Sequence, residues 1–249
     1  MARASVMAFA ALAYAIFLAT FLYLIAFVGD FGRAPVTVDH GPGANLLAAI
    51  VGNLSLIALF GIQHSVMARR GFKRVWTRTV PPAAERSVYV LAASSVLILL
   101  FYGWRPVGEI VWDFRGTAFE PVAWVLFAAG WAVVLVSTFL INHFELFGLQ
   151  QAWFNLRGRV AETPTFRQPF LYRFVRHPLY SGFFLAFWST PRMTFGHLLL
   201  AAGMSAYMLI AIRYEERDLV SSFGDDYDDY RGRVGMLTPR LRRRAQPMP

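Results

Sequence analysis

Residues 179–212 read LYSGFFLAFWSTPRMTFGHLLLAAGMSAYMLIAI, and how this block is parsed decides the fold. A helix crossing ~30 Å of hydrocarbon needs ~20 mostly apolar residues, so the block is too long for one crossing. Pro191, Arg192 and Gly196 interrupt it near the middle. A proline beside an arginine inside an apolar block reads as a turn. The block is therefore a helical hairpin with a short first arm, Leu179 to Thr190, and a longer second arm ending at Ile212. At 1.5 Å per residue the first arm reaches only ~18 Å. Either it turns before the far face, or its start lies beneath the membrane surface. The second case draws Arg176-His177-Pro178 into the boundary, where polar groups need partners or a ligand.

Upstream lie four further apolar runs, Val6 to Val28, Ala44 to Ala68, Ser87 to Trp104 and Pro121 to Ile141. The first is too long for the ~7–15-residue core of a cleaved signal peptide and reads as a retained span. Of the 249 residues, 57% are hydrophobic and only 16% charged, too little charge for a soluble domain of this size. The expected fold is all-α: a polytopic integral membrane helical bundle, residues 1–249 as a single domain, with about four spans, a C-terminal hairpin and a cytoplasmic tail.

Basic residues orient the bundle. All but four of the 24 lie at Arg3, in 69–86, in 157–176, or after Ile212. The exceptions are Arg33, Arg105 and Arg115 in the other two loops and Arg192 at the hairpin turn. The positive-inside rule puts both termini and the segments 142–178 and 213–240 in the cytoplasm, in the bacterial case at the inner membrane. Four spans return the chain to the cytoplasm, and a hairpin keeps the tail there. The net charge of +9 then reflects topology and contact with anionic lipid rather than nucleic acid. The arginine triplet 242–244 is expected to touch headgroups, on a disordered end. The absence of cysteine excludes disulfides, thiolate metal sites and a cysteine nucleophile. The few histidines lack ligand spacing, and no metal is expected.

Polar residues are densest on either side of the hairpin. Arg176-His177-Pro178-Leu179-Tyr180-Ser181-Gly182 precedes it; Arg213-Tyr214-Glu215-Glu216-Arg217-Asp218-Leu219 and Phe223-Gly224-Asp225-Asp226-Tyr227-Asp228-Asp229-Tyr230 follow. Membrane anchoring explains Arg176, Pro178 and Tyr180 equally well, and paired helix charges explain the second stretch. Yet a hairpin brings its own ends together. A histidine, arginines, paired carboxylates and tyrosines then meet at one membrane boundary, which points to a site. His64 and His143 stand at the ends of the second and fourth spans that face the same side. Each is as well explained as a helix-end histidine bonded to backbone as by a role as base. Gln63, Asn142, Glu145 and Gln150 widen this polar lining, and Glu145 is a carboxylate in an otherwise basic stretch.

The pattern Arg-His-Pro-x-Tyr-x-Gly, a hairpin, Glu-Glu-x-x-Leu and Phe-Gly-x-x-Tyr-x-x-Tyr resembles the isoprenylcysteine carboxyl methyltransferase superfamily of membrane methyltransferases. The stretches 60–69 (FGIQHSVMAR), 85–91 (ERSVYVL) and 142–149 (NHFELFGL) are similar to the bacterial methanethiol S-methyltransferases over nearly the whole chain. The resemblance implies S-adenosyl-L-methionine as cofactor, a small thiol as substrate and dimethyl sulfide as product. It assigns Arg176, His177, Pro178, Tyr180, Gly182, Arg213, Glu215, Glu216, Tyr227 and Tyr230 to the cofactor site, with Glu216 also at the catalytic centre. His143, His64 and Glu145 are the remaining catalytic candidates. The sequence departs from the family pattern at Ala211 and Ile212, where an arginine often stands four or five residues before the key glutamate; here Arg213 stands three before it. No glycine-rich strand–turn–helix of the soluble methyltransferases is present. Two alternatives stay open: a lipid, isoprenoid or other thiol acceptor, and a haem-binding protein similar to the NnrU-like group, with His64 or His143 as ligand.

Overall fold

The structure is a computed structural model that describes residues 2–159 and 166–240. The arginine triplet 242–244 lies outside the described residues. In chain order the elements are α1 (Arg3–Val28), α2 (Leu46–Ala68), α3 (Arg70–Trp76), α4 (Pro82–Gly103), β1 (Ile110–Asp113), α5 (Glu120–Ile141), α6 (His143–Leu146), α7 (Leu149–Arg157), α8 (Pro178–Trp188), β2 (Arg192–Thr194), α9 (Phe195–Phe223) and α10 (Asp225–Arg233). Five of the helices, α1, α2, α4, α5 and α9, are long and apolar enough to cross a membrane. The protein is an integral membrane helical bundle.

Local chemistry sets the helix ends. Asn45 caps α2 by accepting from the Ala48 N–H at 2.8 Å, and Thr194 caps α9 by accepting from the His197 N–H at 3.1 Å. The third span begins at Pro82, earlier than the apolar run at Ser87. Proline suits a first turn, and Glu85 there meets the positive end of the helix dipole. The last of the apolar helices, α9, runs on past Ile212 to Phe223, because charged residues continue a helix in water as readily as apolar ones do in lipid.

The core is aromatic. Phe27, Phe101, Trp104, Phe127, Trp131 and Phe187 are buried along the bundle axis, while Leu47, Val125 and Phe139 stay more than half exposed on its outside. Apolar groups on the outer face of a spanning bundle meet lipid rather than water.

One feature is absent from the all-α expectation: a two-stranded antiparallel ribbon in which β1, from the α4–α5 connection, pairs with β2 at the hairpin turn. The turn is therefore tied to the same end of the bundle as that connection, so α8 reaches the far end although it has only 11 residues. Its start must then lie below the basic end. Gly182 packs on Gly130 and Val134 of α5, where a Cβ at 182 would stand 2.7 Å from the Gly130 carbonyl and 2.8 Å from the Val134 nitrogen. Counting one turn back along α8 sets Pro178 about one and a half turns short of the Ile141 end of α5. At the far end Asn53 brackets Arg105, its Nδ2 donating to the carbonyl at 2.7 Å and its Oδ1 accepting from the N–H at 2.9 Å.

Candidate active site at the basic end of the bundle

The approach to α8 is held by the segment that follows α10. Val175 bridges to Gly235 in parallel. The Arg176 N–H donates to the Gly235 carbonyl at 2.8 Å, and the His177 N–H to that of Met236 at 3.1 Å. Ser181 Oγ donates to the Leu237 carbonyl at 2.7 Å. Residues 55 to 60 apart in sequence are thereby laid side by side, and Arg176 and His177 are aimed at α9.

Their shared target is Glu216. Its Oε1 accepts from Arg176 Nε at 2.8 Å and lies 2.8 Å from Nη2. His177 Nε2 stands 3.1 Å from the same oxygen. The three side chains are 13%, 9% and 4% exposed. Burial alone would raise the Glu216 carboxyl, but the hydrogen bonds from His177 and Arg176 outweigh it and hold the group at about 2. Glu216 lies beyond Ile212, where the apolar part of α9 ends. Arg176 is fully committed, since Nη1 also donates to the carbonyls of Val234 at 2.5 Å and Arg231 at 3.2 Å. It positions Glu216 and the tail.

Glu215 differs from its neighbour. It is exposed, and Tyr180 donates to its Oε2 at 3.1 Å. Its charge also acts on Tyr89 and Tyr207. Around these tyrosines sits His64, 5.2 Å from the Phe60 ring, 5.0 Å from Tyr89 and 6.2 Å from Tyr207. His64 Nδ1 is buried without a hydrogen-bond partner, as is Gln63 Oε1. Such orphaned groups are uncommon and mark a place that a ligand or water completes.

Tyr227 and Tyr230 occupy the inner face of α10, both 2% exposed. Tyr230 donates to the Tyr172 carbonyl at 2.5 Å, and Phe166 packs edge-on across both rings. Burial raises both phenols, Tyr230 to about 12, so they stay neutral. The Tyr227 hydroxyl is another buried group without a partner. A 560 Å³ cleft borders α10, lined by Phe166, Gln168, Ser222, Phe223, Asp226, Asp229 and Arg233 rather than by the Glu215–Glu216 pair.

The other candidates have other partners. His143 is buried with both nitrogens engaged, Nε2 with the Tyr14 hydroxyl and Nδ1 with that of Thr138, each at 2.8 Å. It stacks on Phe139 at 4.3 Å. Among the described residues it makes no contact with the Arg176–His177–Glu216 group, and neither nitrogen is open to a haem iron. Glu145 accepts from Asn142 Nδ2 at 3.0 Å while the Asn142 side chain accepts the Glu145 N–H, which closes the first turn of α6. Gly182 faces α5, and Pro178 opens α8 from a buried position. Arg213 is exposed and forms no ion pair among the described residues. Tyr89 and Tyr207 were not singled out from sequence, though each is a phenol inside an apolar run, the kind of polar group that a membrane span must satisfy. Among the described residues no three metal-ligating side chains cluster.

Fold and site together define a polytopic membrane protein that gathers an arginine–histidine–carboxylate centre and a ring of tyrosines at one end of its bundle. The chain matches the NnrU protein family over residues 54–238. It is 52% identical over 231 residues to a methanethiol S-methyltransferase of Mycobacterium tuberculosis, covering 93% of this chain and 94% of that one. It is 50% identical over 243 residues to methanethiol S-methyltransferase 2 of Bradyrhizobium diazoefficiens, covering 96% and 92%. Nurim of Rattus norvegicus is 27% identical over 184 residues, 70% of each chain. No solved structure matches. The chain belongs to the NnrU family and, within it, to the group of the bacterial methanethiol S-methyltransferases.

Proposed function

We propose that the protein is an S-adenosyl-L-methionine-dependent thiol S-methyltransferase that converts methanethiol to dimethyl sulfide at the cytoplasmic face of the bacterial inner membrane, both termini cytoplasmic. The observation that carries this reading is the near-full-length likeness to proteins named for that activity, in a chain whose hairpin-flanking motifs converge on Glu216. When bound, the cofactor supplies an electrophilic methyl on a sulfonium. The thiolate sulfur forms the new bond to that methyl, and the old carbon–sulfur pair stays on the departing thioether.

The residues present fit such a cofactor. Glu215, exposed and pre-aligned by Tyr180, suits its amino group, and the buried, unpartnered Tyr227 hydroxyl offers a further hydrogen bond. Glu216 Oε2 has no partner among the described residues and adds negative charge toward a sulfonium. Arg176 and His177 hold Glu216 ionised and in place. A small thiol is mostly protonated at neutral pH, so an acceptor for its proton accelerates the reaction. His64, with Nδ1 unpartnered, suits that task better than His143.

The test is a sealed-vial assay of the protein in detergent with S-adenosyl-L-methionine and methanethiol, reading dimethyl sulfide in the headspace. Wild type forms product, and His64→Gln lowers kcat by about 10²–10⁴-fold with cofactor affinity retained. Cofactor binding without dimethyl sulfide would reject methanethiol and direct the search to larger thiols or lipidic acceptors. A Soret band without cofactor binding would reject the methyltransferase reading.

A further inference from the structure

We propose that the basic end of the bundle carries a site for one anionic phospholipid, seated between α1 and α7. A 340 Å³ cavity opens there. Its walls are Met7 from the second turn of α1, Phe144, and Leu149, Trp153 and Phe154 from α7. Asn142 and Gln150 also border it, but Asn142 Nδ2 donates to Gln150 Oε1 at 2.6 Å. That hydrogen bond joins the two amides to one another, and the other five lining residues are apolar. Helix α7 is short and strongly two-sided, with Ala152 and Leu149 packed on the first turns of α1 and α4. Such a helix lies along a membrane boundary.

Among the described residues no carboxylate neutralises the charge beside this cavity. Arg157 stacks over the Trp153 ring at 4.6 Å. Arg3 reaches the end of α7, where a Cβ at Gly158 would stand 3.3 Å from its Nη1. Arg159 follows directly. All three are exposed and none has an ion pair among the described residues. Glu145, the nearest carboxylate in sequence among the described residues, is turned to Asn142. An apolar slot with guanidinium groups at its rim matches an acyl chain and a phosphate. The guanidinium fork binds phosphate oxygens in pairs, and the ring beneath Arg157 already holds one fork in orientation. Three positive charges without a carboxylate partner among the described residues favour a net anionic headgroup over a zwitterionic one.

The protein is purified in detergent and titrated separately with phosphatidylglycerol and phosphatidylcholine of equal chain length, and retained lipid is counted by native mass spectrometry. Wild type keeps one phosphatidylglycerol at concentrations where phosphatidylcholine is lost. The surface pair Arg3→Gln/Arg157→Gln weakens phosphatidylglycerol binding by about 30-fold, from a roughly fivefold effect per arginine, with the lipid-free melting temperature unchanged. Met7→Trp, which fills the slot and keeps the arginines, abolishes retention of the bound lipid. Equal retention of the two lipids, or phosphatidylglycerol retention undiminished in the arginine pair, would overturn the site. Loss in the arginine pair with retention in a folded Met7→Trp protein would reduce it to surface attraction and overturn it as well.

Discussion

Adjacent glutamates on one helix have different surroundings. Glu216 is buried between Arg176 and His177, whereas Glu215 is exposed with one phenol as partner. Removing one member of a buried pair strands the other's charge and costs about 3–5 kcal/mol. Glu216→Gln is therefore expected to lower the thermal midpoint in detergent markedly. Glu215→Gln should leave that midpoint nearly unchanged, as surface substitutions do, and weaken S-adenosyl-L-methionine about 10- to 100-fold in a binding titration, the worth of a charged hydrogen bond. If both variants lose stability equally, the division of roles is wrong. Because hydrogen bonds from His177 and Arg176 lower the Glu216 carboxyl to about 2, its contribution is present above the ordinary carboxylate range and lost only as pH falls toward 2. A change of rate between pH 5 and 9 then belongs to another group. The sequence pointed to Glu215, Glu216, Arg176 and His177 by type and spacing. It could not divide them, because which oxygen is buried depends on how the tail docks.

At the scale of elements, α5 and α8 touch backbone to backbone. Gly130 and Gly182 face one another, and at either position a Cβ would come within 2.8 Å of main-chain atoms of the other helix. Backbone cannot yield as a side-chain tip does, so Gly182→Ala must push the helices apart. The expected cost is about 1–3 kcal/mol, read as a lower thermal midpoint, together with reduced product formation because α8 carries Tyr180 and begins at the Arg176–His177 step. An unchanged midpoint would mean that the helices are not so closely packed. The motif assigned Gly182 to the cofactor by resemblance. The structure shows a packing contact at this glycine, and its partner Gly130 stands in a different span with no local signal linking the two.

At the scale of the whole molecule, the far-end ribbon and the basic-end site are coupled through the hairpin. β2 ties the turn to β1 at one end, and the short α8 is therefore drawn inward at the other. Orientation can be checked cleanly, since the chain has no cysteine and any introduced thiol is unique. An impermeant maleimide applied to intact cells is expected to label Ala118→Cys, and to reach Gly71→Cys and Gly232→Cys only after permeabilisation. The opposite pattern would invert the bundle.

Apolar run lengths and the uneven spread of arginines, read from sequence alone, determined a membrane-spanning helical bundle with a terminal hairpin, because those properties answer to the thickness and charge of a bilayer rather than to contacts within the chain. The gathering of polar residues on either side of the hairpin was legible for the same reason, whereas the roles assigned to them came from the family resemblance. Only the tertiary structure decided that Glu216 is enclosed while Glu215 is open, that His143 is spent on Tyr14 and Thr138, and that His64 is left with an unpartnered nitrogen. Apart from Thr138, five positions from His143, the partners concerned stand from 25 to 130 positions away, and side chains so far apart are brought together by packing, which local pattern does not encode.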